Sequence, residues 1–153
     1  MTTTREFFER ARAASDDAER CRRQLKMLEG KMHSIGSQGF EPRVRTSASP
    51  DAMERRVGAY VDREAALERR VAEDYDVIDR ACLVLYGSDE VVGLDRARSA
   101  VWADVLWWRY LDGATWPRVA KAVGYSPRPC QLMRNQAFEW MDAARFMADV
   151  MDV

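Results

Sequence analysis

Cysteine is scarce in this chain. Only Cys21, Cys82 and Cys130 occur in 153 residues, far apart and with no Cys-x-x-Cys pair. That excludes a disulfide framework and a zinc site, and fits a reducing, cytoplasmic setting. Histidine is scarcer still. His33 stands alone beside a Gly/Ser stretch and reads as an exposed helix-end residue, not a ligand or general base. No cofactor or metal is expected. No apolar run approaches the ~18 residues of a membrane span. The opening stretch, MTTTREFFER, is charged within its first turns and lacks a signal-peptide core. Charge of one sign is also missing: 24 Lys and Arg face 25 Asp and Glu. A wholly basic nucleic-acid coat protein is thereby excluded, and any nucleic-acid role must rest on a local patch. There is no enzyme signature. The acid pairs Asp16/Asp17 and Glu73/Asp74 are adjacent, so on a helix they point apart, and the cysteines sit on apolar faces without a basic partner. Strand-like alternation and internal repeats are absent too.

What remains is helical periodicity. A first helix is expected from about Thr4 to Lys31, capped by Thr3 or Thr4, with Glu6 at the positive end of its dipole. Phe7, Ala11, Ala14, Ala18, Cys21, Leu25, Leu28 and Met32 alternate steps of four and three, a heptad seam. A loop is expected from His33 to Ser49, where glycines, a proline and serines cluster. Its Arg43 and Arg45 read as part of a solvated linker, with a phosphate contact as the alternative. A second helix opens at Ser49 and Pro50 and runs to about Tyr86, where Gly87 stops it. Met53, Val57, Tyr60, Leu67, Val71, Ile78, Cys82 and Leu85 form its seam. Two matching seams predict an antiparallel hairpin or a homodimer. The Arg/Glu runs ERARAASDDAERCRR and DREAALERRVAEDYD read as solvated flanks of those seams.

Beyond Gly87, LDRARSAVWADVLWWRYL predicts a third helix, with Val101, Val105, Trp108 and Leu111 inward and Trp102 and Leu106 widening that face. Gly113 ends it. The aromatic group Trp102, Trp107, Trp108, Tyr110 and Trp116 reads as core rather than a base-stacking platform, although Trp107 lies off the main face.

The C-terminal part carries the functional pattern. Thr115 can cap a short helix in which Trp116, Val119, Ala120 and Val123 share one face. Gly124 follows at a left-handed helix end. Only Tyr125 separates it from Ser126, the next cap. Two helices joined by so tight a turn form a helix-turn-helix, whose second helix enters the DNA major groove. That helix opens on Pro127, Arg128 and Pro129. Prolines are tolerated there because the first N–H groups of a helix have no intrahelical acceptor. If Ser126 is the cap, its Oγ must reach the N–H of Arg128, since Pro129 has none. The other start makes Arg128 the cap, because a residue before proline resists the α conformation. Either start projects Arg128 from a stiff helix end. Cys130, Met133, Ala137 and Met141 form the inward stripe, with Gln131 and Asn135 facing away. Arg pairs with guanine and Asn or Gln with adenine. From Gly113 to Phe138 the cations Arg118, Lys121, Arg128 and Arg134 occur with no acidic residue.

The stretch RYLDGATWPRVAKAVGYSPRPCQLMRNQAFEWM resembles region 4 of bacterial sigma factors through Arg109, Tyr110, Trp116, Ala120, Gly124, Ser126, Ala137 and Phe138. With its helical N-terminal half, the chain resembles small phage-encoded transcriptional regulators of the ArpU/RinA type. The resemblance implies DNA-facing positions at Arg128, Gln131, Leu132 and Asn135. It departs from the pattern at Pro127, Pro129, Leu132 and Gln136. The candidate DNA-binding set is then Arg118, Lys121, Ser126, Arg128, Gln131, Leu132, Arg134 and Asn135. The expected fold is all-α: a long antiparallel hairpin (1–86) followed by a three-helix domain containing the helix-turn-helix (87–153). The expected function is a sequence-specific, non-enzymatic regulator of transcription that binds double-stranded DNA. The alternatives are a helical assembly or packaging protein of small-terminase type, and an RNA polymerase adaptor.

Overall fold

A computed structural model describes residues 1–38 and 50–152. The described chain is all-α. Two long helices, α1 (Thr4–Gln38) and α2 (Pro50–Tyr86), precede α3 (Leu94–Ala97), α4 (Ala100–Leu106), a π-helical turn (Trp107–Leu111), α5 (Trp116–Val123), α6 (Pro127–Ala144) and α7 (Ala148–Met151). No helix among the described residues is long and apolar enough to cross a membrane. The expected loop at His33 starts too early, because α1 continues to Gln38. Gly36 lowers helix propensity without ending the helix. Ser49, Arg43 and Arg45 lie outside the described residues.

The chain divides into two compact units. One comprises Met1–Asp16 with Asp74–Val153, the other Asp17–Glu73. Gly87, where the sequence suggests a domain boundary, therefore ends a helix inside the first unit.

In the Asp17–Glu73 unit the helices run antiparallel. Arg70 donates to Asp17, with Nε 2.9 Å from Oδ2 and Nη2 on Oδ1, and Arg63 Nη2 donates to Gln24 Oε1 at 2.9 Å. Seven residues up α1 match seven down α2, as paired heptads require. Ala18, Cys21 and Leu67 are buried, while Leu25, Leu28 and Met32 are half-buried. Met27, Met53, Val57 and Val61 are exposed, so the seam closes near Leu67 and opens toward the start of α2.

The other unit is built around the first turns of α1. Thr3 and Glu6 form a capping box: Thr3 Oγ1 accepts from the Glu6 N–H and Glu6 Oε2 accepts from the Thr3 N–H, each at 3.2 Å. The fixed helix start delivers Phe7, Phe8 and Ala11 into a core with Ala81, Val84, Leu85, Leu106, Tyr110, Phe138 and Met141. Phe8 stacks on Phe138 with centroids 5.8 Å apart and meets Tyr110 at 5.9 Å. Buried Thr4 donates to Asp142 through both N–H and hydroxyl. Between α2 and α3 the chain turns through Gly87 and Gly93, which pack back to back. A Cβ at Gly93 would strike the backbone of Tyr86 and Gly87.

The expected third helix is broken. Ser99 leaves helical geometry, and its Oγ accepts from the Trp102 N–H at 3.2 Å, starting α4 afresh. A serine beside its own backbone favours a cap over a helix interior. The end of the segment then widens into a π turn, with the Asp112 N–H donating to the Trp107 carbonyl at 3.0 Å.

The end of α2 is tied to α4 by Tyr86, whose hydroxyl donates to Asp104 Oδ1 at 2.7 Å. Burial, then that hydrogen bond and the charge of Asp104, push the Tyr86 phenol above its ordinary pKa. An acid whose folded pKa is raised stabilises the fold below its unfolded pKa, near about 10, and loses that contribution as pH rises further. Urea unfolding at about pH 8 and about pH 11 should show the parent losing more stability than Tyr86→Phe, which lacks this ionisation. At the lower pH the variant should be weaker by about 1 kcal/mol.

Candidate nucleic-acid interface

The site is assembled from α5, the turn after it, and α6. Trp116 and Pro117 open α5 after Thr115, which occupies the cap position without a side-chain hydrogen bond. Val119 and Ala120 bury the inner face against Val105, Ala114 and Cys130. Gly124 adopts φ 81°, ψ 22°, and its N–H donates to the Ala120 carbonyl at 2.9 Å. A Cβ is strained in this left-handed region, which explains the glycine. Tyr125 spans the turn in an exposed position. Ser126 is the cap of α6, with φ −69° and ψ 158°. Of the two helix starts open to the sequence, the chain adopts the earlier one.

One expectation fails here. Ser126 makes no side-chain cap hydrogen bond. Pro129 removes one of the two N–H groups that such a cap reaches, and Oγ does not turn to the other, on Arg128. The first ladder bond runs from Cys130 N–H to the Ser126 carbonyl at 3.3 Å. Two prolines thus fix the entry through their φ angles.

Cys130, Ala137 and Met141 are fully buried, and Met133 is half-buried, as the inward stripe requires. Burial pushes the Cys130 thiol above its ordinary pKa, which keeps it protonated and unreactive. Arg128, Leu132, Asn135 and Glu139 follow at steps of four, three and four on the opposite stripe. Arg128 and Leu132 are exposed, and Leu132 keeps 52% of its surface accessible.

The candidate residues are not all equally placed. Lys121 and Arg128 are exposed and make no ion pair among the described residues. Arg118 faces Asp112, one residue outside the acid-free stretch, with its Nη2 3.8 Å from Oδ2. Gln131 is half-buried. Asn135 does not simply face away: its Oδ1 accepts from Arg134 Nε at 3.1 Å and from Arg5 Nη2 at 3.2 Å. Arg134 is half-buried, with its guanidinium carbon 4.9 Å from the centre of the Trp116 ring. Arg109 lies 4.7 Å from the same ring and donates to the Ala114 carbonyl at 3.1 Å. Trp102, Trp107 and Trp108 are half-buried against the two cores, as a structural aromatic group should be.

No known protein family, curated protein or solved structure matches the chain. The functional reading therefore stands on the residues and their geometry. Sequence reasoning missed Arg5, which lies outside the Arg/Glu runs read as solvated flanks. It stands one turn before Phe8, a signal that becomes legible once Phe8 is known to be core.

Proposed function

We propose that the chain is a sequence-specific DNA-binding regulator of transcription, encoded by a phage or prophage and acting in the cytoplasm. The observation that carries this reading is the start of α6. A left-handed glycine turn presents a proline-stiffened helix with exposed Arg128 in its first turn, and Lys121 of the preceding helix is exposed too; neither makes an ion pair among the described residues. A rigid start lowers the entropy lost when a guanidinium is placed against a base edge or phosphate. The exposed apolar residues at the start of α2 support pairing of two copies, which would then read two half-sites about one helical turn apart.

Arg128→Ala distinguishes base reading from phosphate contact. If Arg128 reads a guanine, specific binding should weaken by about 1–3 kcal/mol, with relaxed preference at one base position. If it touches only phosphate, affinity should fall alike on all sequences and the salt slope should shrink by about one. Fluorescence anisotropy on specific and scrambled duplexes at several salt concentrations separates these outcomes. A folded variant that binds as tightly as the parent would remove Arg128 from recognition. The specific duplex is first recovered by sequencing genomic DNA bound to the protein.

A second reading is favoured by Leu132. A large exposed apolar side chain midway along the outward stripe, followed by Glu139, suits a protein partner as well as a thymine methyl group. Recovery of RNA polymerase without direct DNA contact would support this adaptor function over the regulator.

A further inference from the structure

Three arginines from three parts of the chain gather around Asn135 and Trp116. Asn135 Oδ1 receives hydrogen bonds from both Arg5 and Arg134. Arg134 and Arg109 both pack on Trp116. Burial, then the charges of Arg12 and Arg134, lower the pKa of Arg109. The Arg109 Nε–H is buried without a hydrogen-bond partner. None of the three makes an ion pair among the described residues.

Gathering like charges around an amide oxygen and an indole is unfavourable by itself. A buried donor left unmet adds to the cost. An anion with several oxygens answers both, because the planar fork of a guanidinium matches phosphoryl oxygens. The neighbouring carboxylates limit where that anion fits. Glu139 and Asp142 line the groove beside Arg5 on the C-terminal side of Asn135. Asp112 is turned to Arg118. Asp16 Oδ1 lies 3.6 Å from where a Cβ on Gly113 would stand, beside the turn that Arg109 bonds. Arg5 and Arg134, joined on the Asn135 amide oxygen, are the pair that an anion would meet.

We propose that Arg5, Arg109 and Arg134 form a phosphoryl-binding site. Its source, resting on the DNA-binding reading, is a backbone phosphodiester flanking the groove entered by Arg128. The first turns of α1 then belong to the DNA-binding face, not only to the hairpin. Asn135 serves as a bracket between two arginines, since its acceptor is already engaged and bidentate reading of adenine needs it free.

The test uses the full chain with Arg5→Ala, Arg134→Ala and the double variant, their folding checked by circular dichroism. On duplexes that the parent binds, each substitution should lower affinity roughly fivefold to tenfold near 0.1 M salt, equally on specific and scrambled sequences. The salt slope should shrink by about one per arginine. A folded double variant with the affinity and slope of the parent would overturn the proposal. Titration of the parent with inorganic phosphate, followed by NMR of the arginine Nε–H groups, covers the other source and any variant that does not fold. Selective shifts at Arg109 and Arg134 uphold the site even if the parent binds no duplex, in which case the DNA reading alone fails. An absence of shifts together with an absence of duplex binding overturns both.

Discussion

Phe8→Ala should cost about 3–5 kcal/mol, and the loss should fall on the helix-turn-helix as much as on α1. Phe8 has no accessible surface and stacks on Phe138 of α6 and Tyr110 of the π turn. Truncation leaves a cavity between rings that come from sequence positions about a hundred residues apart. None of these rings can close it alone, because Tyr110 is held by its helix and Phe138 by neighbouring Ala137 and Met141. Hydrogen exchange is the direct check. Residues 127–141 should lose protection together with residues 4–16 in the variant. Loss confined to residues 4–16 would show that α6 keeps its core without α1, and would return the C-terminal part to independence.

Leu67→Ala should produce the second large effect, about 2–5 kcal/mol, within the Asp17–Glu73 unit. Leu67 retains 1% of its accessible surface. Leu25, read from sequence as its equal on the opposite seam, is half-buried, so Leu25→Ala should fall at or below the bottom of that range. The Gln24–Arg63 rung is exposed, whereas the Asp17–Arg70 pair joins an exposed guanidinium to a carboxylate that keeps 13% of its accessible surface. Urea unfolding of both alanine variants tests the order. If Leu25→Ala proves the more damaging, the seam is closed in solution by something other than the contacts of one chain, and a second copy is the first candidate to examine.

The heptad pattern carried much of the fold because a seam is a local, repeating property. Phe7, Ala11, Ala14, Ala18 and Cys21 are all buried as their spacing requires. Phe8 was not legible, because a strict seam assigns one residue per step and the partners of Phe8 lie far along the chain. The same limit hid the compact units. Nothing in ARAASDDAER announces that α1 passes from one unit to the other near Asp16. The break at Ser99 was missed for a different reason. Serine is acceptable within a helix pattern, and only its captured Trp102 N–H shows that it acts as a cap. In the candidate site, Gly124, Ser126 and the buried stripe of α6 follow from turn chemistry and periodicity. The arginine cluster does not, because it needs α1, the π turn and α6 brought side by side.

The discontinuous unit also constrains how the chain matures. Phe7 and Phe8 leave the ribosome about 130 residues ahead of the Phe138 ring that covers them. At about 5–20 residues per second, two adjacent aromatic side chains wait on the order of ten seconds for their cover. Throughout that interval the nascent segment presents an apolar face to water. The charges of both signs on Glu6, Glu9, Arg10 and Arg12 around it then act as a solubilising sheath, a duty that falls on them before any folded surface exists.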